Sequence, residues 1–465
     1  MMPAHLRIGF DTEFVRAGLD AQTLAEAEDA ADPIALGNEV LCYTAAIRNL
    51  ATGGFDSGII RLLPKQGSRR HRCTLAGFLA RVLDHALKTG VIASDDCRTR
   101  LPGEKSGPVL RIDLVAHFSR ADLCGFRDFP TLKSRFDSVR GTFCTLTRPL
   151  VMTVWMPNRH PVVCSIRLYD SMLLAPAKHQ SLQKLGDLLG FPKLAVPEHY
   201  KRRMDRLRDE DPDLFTRYAI RDAEVAERWL GEVQAFYKAE FGFGSELPAT
   251  LASAGVTIFR GMLKAAGINE PTFLGGATRK GRFTACPEIQ DHLSFIANAY
   301  HGGRNEAFWL GLTPEADIYD IDVKGAYSTA MAMLRIPDWT ATRITQDLDA
   351  LAVIDEGIAI ARVRFAFPPG TRYPSLPIRT QDHGLVYPLT GETHCTGPEL
   401  VVARNQGAQI EVLHGILIPY RTGDPRRPFA DFSQRIAQVR AKYKGVNDAF
   451  EQLAKDTGNA AYGKT

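Results

Sequence analysis

The chain opens Met-Met-Pro-Ala-His-Leu-Arg-Ile-Gly-Phe-Asp11-Thr-Glu13-Phe, with two acids two residues apart in a strand-like run. Side chains at i and i+2 of a strand share a face, so both carboxylates can reach one divalent cation. A D-x-E alone also fits a solvated pair, and about one or two should occur by chance at this length. Asp122 follows a second apolar run, Leu114-Val-Ala-His-Phe-Ser-Arg-Ala-Asp122-Leu. With Ser119 as cap it takes the third position of a helix at a strand's carboxyl end, where ligands of α/β sheets gather. An acid complementing the helix dipole would look the same. Tyr218-Ala-Ile-Arg-Asp222 puts a phenol and a carboxylate one helical turn apart on one face, as a buried Tyr beside a surface Asp also would. Four acids converging on one pocket meet the requirement of two-metal phosphodiester hydrolysis, with Tyr218 orienting the attacking water.

The elements that must position these groups follow from periodicity. Strand-like runs cover Arg7–Phe14, Leu41–Asn49, Val109–His117, Val151–Trp155 and Val162–Tyr169. An Ala- and acid-rich stretch after the first run reads as helix. A basic loop over 64–76 leads into an amphipathic helix, Leu75–Lys88. Helical periodicity from Gln180 to Ala235 breaks between Pro192 and Pro197. This pattern predicts an α/β domain over residues 1–240. Residues 241–310 are Gly-rich and read as a connector with some helix. A second α/β segment, 311–465, has a strand-like run from Asp317, a turn-rich stretch from Pro368 to Pro398 and a basic helix from Pro428 to Lys444.

Composition narrows the class little. The 465 residues are 45% hydrophobic and 24% charged, enough apolar material for two or three packed domains. A net charge of +4 is compatible with a nucleic-acid partner. The eight dispersed cysteines form no C-x-x-C, which predicts buried free thiols in a reducing compartment. No signal-like or membrane-spanning run is evident, so the expectation is a cytoplasmic protein with no membrane partner.

In order, D-x-E on the first strand, Asp122 after a later strand and Y-x-x-x-D on a late helix resemble the RNase H-like exonucleases of the DEDD type with a tyrosine. That resemblance implies 3′–5′ excision of single-stranded DNA ends with Mg²⁺ or Mn²⁺, two ions per site, held by Asp11, Glu13, Asp122 and Asp222. Further on, Asp322-Val-Lys-Gly-Ala-Tyr327-Ser is similar to D-x-x-S-L-Y-P of the family B DNA polymerases, and Lys455-Asp-Thr-Gly-Asn459-Ala-Ala-Tyr462-Gly to their K-x-x-x-N-S-x-Y-G. Lys455, Asn459 and Tyr462 share one helix face, a set suited to triphosphate, sugar and base. The resemblance implies that Asp322 binds catalytic metal, that Tyr327 packs under the sugar and that Lys455 meets the incoming phosphates. Tyr300-His-Gly302-Gly303 resembles the Y-x-G-G segment that handles template and primer. Ser181-Leu182 resembles a single-strand-binding element of protein-primed phage members, and Lys201 stands where those enzymes carry a catalytic lysine. Phage and mobile-element enzymes are the nearer likeness.

The expected fold is therefore an RNase H-like exonuclease domain followed by a partial palm and fingers. Expected partners are single-stranded DNA and primer-template, and deoxynucleoside triphosphates once the polymerase site is completed. Phosphate contacts are expected from Lys201, Arg202, Arg203 and the helix near Arg435–Lys444. There are departures. Phe118 stands where the family has an Asn, Gly325 and Ser328 replace Ser and Pro, and Ala460 replaces Ser. No Y-x-D-T-D occurs, and the sequence stops two residues after Gly463. The expectation is an exonuclease with all its acids beside an incomplete polymerase site, with a stand-alone nuclease or a non-catalytic DNA-binding remnant as alternatives.

Overall fold

A computed structural model describes residues 3–16, 38–65, 69–140, 143–146, 148–201, 203–244, 246–279, 282–313, 315–321, 325–382 and 384–462. The Ala- and acid-rich stretch after the first strand, Arg202, Asp322 and the Tyr462 side chain lie outside the described residues. Two compact units form, residues 1–255 with 438–465, and residues 256–437. They divide the chain by packing, whereas the three segments above divide it by motif.

In the first unit, strands β1 (His5–Arg16), β2 (Asn38–Asn49), β3 (Phe55–Leu62), β4 (Leu110–Ala116), β5 (Leu150–Trp155) and β6 (Pro161–Asp170) make one sheet in the order β3-β2-β1-β4-β6-β5. β4 runs parallel to β1 and to β6, and the other pairings are antiparallel. The period of two sorts β1 cleanly. Leu6, Ile8 and Phe10 face an apolar core shared with Phe78, Leu79, Val82 and Leu83 of helix α1 (Leu75–Lys88). Arg7, Gly9, Asp11 and Glu13 take the other face. Helices α2 (Ser119–Cys124), α3 (Leu182–Leu188), α4 (Met204–Glu210) and α5 (Pro212–Phe241) follow. α5 covers the second face. Asp211 caps it by accepting the Leu214 N–H, Pro212 opens its first turn, and Gly242 closes it at φ 66°.

The second unit holds strands β7 (Arg343–Ile344), β8 (Gly357–Ala366), β9 (Thr390–Thr396) and β10 (Gln409–Pro419), paired antiparallel in the order β7-β10-β8-β9. The short helix α6 (Ala326–Ala332) precedes them, and α7 (Gly397–Asn405) buries Leu400 against Val363, Phe365 and Cys395. One expectation fails here. The strand-like run from Asp317 forms no strand over the described residues 315–321, and Ile318, Tyr319 and Ile321 are 70, 78 and 85% exposed. A strand needs a neighbour for its N–H and C=O groups, and none of the described strands pairs with this one. The turn after it does form: Gly325 sits at φ 63°, which suits a residue without Cβ, and caps α6.

Helices α8 (Pro428–Tyr443) and α9 (Asp448–Tyr462) end the described chain. Within the first unit, the Tyr237 hydroxyl lies 2.5 Å from that of Thr457, and Glu240 accepts from Lys442 and Tyr443. All eight cysteines are free, and all but the half-buried Cys286 are buried.

Candidate metal centre

Asp11, Glu13 and Asp222 each offer a carboxylate oxygen, and these atoms lie within 4.8 Å of one another. Two come from one face of β1 and the third from α5. What brings helix to strand is Gly9. A methyl there would lie 2.1 Å from the Ala223 carbonyl oxygen and 2.9 Å from Glu227 Cβ, so backbone meets backbone. Asp222, the residue before Ala223, is thereby set beside Asp11. The register of β1 against β2 shifts between Glu13 and Phe14, an irregularity of the kind that re-aims side chains next to sites.

Crowded, buried acids resist ionisation. Burial and then the Asp222 charge push Asp11 up to about 7, with Lys193 opposing. Burial, Asp11 and Asp222 hold Glu13 well above its ordinary range. Asp222 is raised by burial even though Lys193 pulls the other way. The metal-free fold therefore holds a proton on Asp11 that the unfolded chain, with an ordinary value of 3.8, releases. Between those values the folded state binds more protons, so this group's contribution to stability falls as pH rises. The unfolding midpoint of the metal-free chain should drop between pH 5 and pH 8, and Asp11→Asn should flatten that drop. Equal slopes in both proteins, measured by thermal scans, would contradict it.

Asp122 stands beside this group but outside the 4.8 Å set. Its Oδ1 accepts from the Thr12 N–H at 3.0 Å and the Thr12 hydroxyl at 2.8 Å. Burial and the Asp11 charge raise its pKa well above normal. The expected cap is corrected. Phe118, at φ 61°, is the N-cap of α2, Ser119 is its first residue and Asp122 its fourth. The Ser119 N–H donates to Asp170 Oδ2 at 2.7 Å, and the Ser119 hydroxyl accepts from the Cys144 N–H instead. A carboxylate is the stronger acceptor and takes the Ser119 N–H at the start of α2, and the Ser119 hydroxyl also bonds to Asp170. His117, next to Phe118, donates to or accepts from Ser171 at 2.8 Å, and burial with the Lys193 charge lowers its pKa to about 4.

The sequence reading missed Lys193. Its Nζ lies 2.6 Å from Asp222 Oδ2 and 3.4 Å from the Tyr218 hydroxyl. Burial alone would depress this ammonium, but Asp222, Tyr218 and Asp11 outweigh it and hold the pKa above normal. Burial and Asp222 push the Tyr218 phenol up to about 12. The loop carrying Lys193 is fixed to α5: Phe191 lies between the Arg221 and Arg228 guanidiniums, 3.8 and 3.6 Å from its ring centre, and Arg221 donates to the Pro192 carbonyl. Lys201, the lysine singled out from the sequence, is instead half-exposed and paired with Glu198 at 2.6 Å. Only the Gly190-Phe-Pro-Lys break after α3 hinted at Lys193.

The remaining expected residues lie on several elements of the two units. Ser181 caps α3 by accepting the Lys184 N–H, and Leu182 is buried beneath it. Lys455 and Asn459 share a face of α9 in the first unit, with Asn459 exposed. In the second unit Tyr327 is half-exposed on α6, and a methyl on Gly303 would lie 2.6 Å from its hydroxyl, so the Tyr300–Gly303 segment runs against it. Gly302 is exposed, and Tyr300, 70% exposed, accepts from Arg379 through its carbonyl. Of the expected phosphate contacts, Arg203 pairs with Asp205, and Arg440 and Lys442 pair with Glu451 and Glu240.

The donor set of the carboxylate group fits a hard divalent cation. All donors are anionic oxygens, and Asp222 Oδ1 is buried without a hydrogen-bond partner, so a coordinating atom is left over. Among the described residues no helix is long and apolar enough to cross a membrane.

Comparison with known proteins agrees with this architecture. Primer-independent DNA polymerase PolB of Escherichia coli is 30% identical over 497 residues, an overlap covering 99% of this chain and 53% of that protein. The chain thus spans about half the length of this curated relative. Two structures of phi29 DNA polymerase share the α/β fold, one complexed with primer-template DNA (TM-score 0.50, 13% identity, 99% of this chain and 68% of that one) and one with single-stranded DNA (0.51, 14%, 99% and 67%). The family model for DNA polymerase type B, organellar and viral, matches residues 204–465, more than half of the sequence, and the chain belongs to that family.

Proposed function

We propose that the first unit is a divalent-metal-dependent 3′–5′ exonuclease acting on single-stranded DNA ends, the proofreading partner of a family B polymerase. The observation that carries this reading is the convergence of Asp11, Glu13 and Asp222 within 4.8 Å, with Asp122, Lys193 and Tyr218 around them. The β3-β2-β1-β4-β6-β5 sheet supports an RNase H-like description of that unit. Asp11, Glu13 and Asp222, joined by Asp122, would hold two Mg²⁺ or Mn²⁺ ions. When bound, the ions supply Lewis-acid polarisation of the scissile phosphate and lower the pKa of water. The protein's own groups do the rest. Tyr218, its phenol protonated at neutral pH, holds a water by its hydroxyl. Lys193 stays charged, steadies Asp222 and offsets the negative charge of the approaching phosphodiester. His117 stays neutral, so it offers one donor and one acceptor.

For the second half, we read Asp322, Tyr327, Lys455, Asn459 and Tyr462 as metal- and nucleotide-handling residues of a polymerase site, with Tyr300, Gly302 and Gly303 along the primer-template. The second aspartate motif does not occur in these residues.

The exonuclease reading is tested with a 5′-labelled single-stranded oligonucleotide and purified chain. Mg²⁺ or Mn²⁺ should yield a ladder shortening from the 3′ end, and chelation should stop it. Internal cuts, or none with either ion, would reject the assignment. Two lysines sharpen the test. Lys193→Ala, which strips a carboxylate ligand of its partner, should slow digestion by roughly 10–100-fold, and Lys201→Ala should leave it close to wild type. The reverse ranking would restore Lys201 as the functional lysine.

A further inference from the structure

Asp170 is a buried carboxylate to which the reading above gives no task. It ends β6 and is 1% exposed. Its Oδ2 accepts the Ser119 N–H at 2.7 Å, and its Oδ1 accepts the N–H groups of Met172 at 2.9 Å and Phe118 at 3.3 Å. The Ser171 N–H donates to the Ala116 carbonyl, so the ends of β4 and β6 are tied together at the same place. Phe118 stands at φ 61°, a conformation that a bulky residue keeps only where its surroundings dictate it. The reversal there starts α2, and α2 delivers the Asp122 carboxylate to the N–H and hydroxyl of Thr12, between Asp11 and Glu13.

We propose that Asp170 is a positioning residue: by holding the Phe118–Ser119 turn, it fixes Asp122 against Thr12 and so completes the acidic site. The idea rests on the exonuclease reading. A carboxylate that merely stabilised a turn would alter the unfolding midpoint and leave metal affinity alone; a positioning role moves both metal affinity and turnover.

The test uses the full chain as wild type, Asp170→Ala and Asp170→Asn. Four quantities are compared: Mn²⁺ affinity, digestion of a single-stranded oligonucleotide, amide hydrogen exchange over 117–125, and the unfolding midpoint. Folded Asp170→Ala should lose about 10–100-fold in Mn²⁺ affinity and in turnover, the range for groups that orient metal ligands, and should exchange faster over 117–125. Asp170→Asn keeps one acceptor but turns an NH₂ toward the other donors, so its losses should be intermediate. Folded Asp170→Ala with wild-type affinity, turnover and exchange would overturn the proposal. If the alanine variant does not fold, the asparagine variant decides it by the same measures. A wild-type chain that neither binds Mn²⁺ nor digests DNA would sink the exonuclease reading instead. Exchange over 117–125 would then test the hold of Asp170 on the Phe118–Ser119 turn, and unchanged exchange in the variants would overturn the proposal as well.

Discussion

Asp11→Asn combined with Glu13→Gln should lower single-strand digestion by at least about a thousandfold, because several kcal/mol of metal-supplied stabilisation disappear with the ligands. The substitutions keep side-chain size but remove the anionic oxygens that a hard cation requires. The fold should survive, and even gain. Both acids are held above their ordinary pKa by burial first, then Asp11 by Asp222 and Glu13 by Asp11 and Asp222, so the metal-free protein bears their charge at a cost. The double variant should thus unfold at a higher temperature than wild type at pH 8 without metal, and lose the stabilisation that Mn²⁺ gives the wild type. Inactivity with raised stability separates a catalytic site from a structural one. A variant that digests DNA normally would place the chemistry elsewhere, and one that is inactive because it is unfolded would leave the acids with a structural role.

The largest effect on stability should come from Glu227→Ala. Glu227 is fully buried on α5, where Arg7 of β1 reaches it at 2.8 Å and Arg48 of β2 at 2.7 Å. Gly231 leaves the room that the Arg7 guanidinium occupies, since a methyl there would lie 2.6 Å from it. Arg7 also donates to Gln234, which in turn donates to Asp113. Removing Glu227 strands the buried Arg7 charge, while Arg48, about a quarter exposed, can turn to solvent. Leaving a buried ion unpaired costs roughly 3–5 kcal/mol, against a typical total of about 5–15 kcal/mol for a domain. Urea unfolding should show a midpoint shift of that order, and Glu227→Gln a smaller one. Because Glu227 lies where α5 meets Gly9, digestion should weaken as well. A shift below about 1 kcal/mol would mean that the pair is far less coupled than its burial implies.

Much of the first unit was legible in the sequence. β1 alternates strictly, so its acidic face could be read two residues at a time, and α1 spans Leu75–Lys88 as its amphipathic period required. Tyr218 and Asp222 share a face of α5 because their spacing is one turn. What escaped was whatever depends on a partner distant in sequence. Lys193 sits in a loop with no period, and its meaning comes from Asp222, 29 residues on. Asp170 lay just beyond the expected strand Val162–Tyr169, and its bonds run to a turn about 50 residues earlier. Ser119 has the side chain of a good cap, but a carboxylate from the neighbouring strand takes that position. Gly9 carries no chemistry of its own and is decisive only once α5 lies on it. The strand expected from Asp317 failed for the complementary reason: alternation proposes a strand, and only a pairing neighbour makes one.

The most direct test of the metal centre is diffraction from crystals of the chain soaked in Mn²⁺, with anomalous differences collected at the manganese edge. The account requires an anomalous peak among the carboxylates of Asp11, Glu13 and Asp222, with Asp222 Oδ1, unpartnered in the metal-free fold, among its ligands. Well-ordered carboxylates with no peak between them, and Lys193 as their only cation, would contradict it.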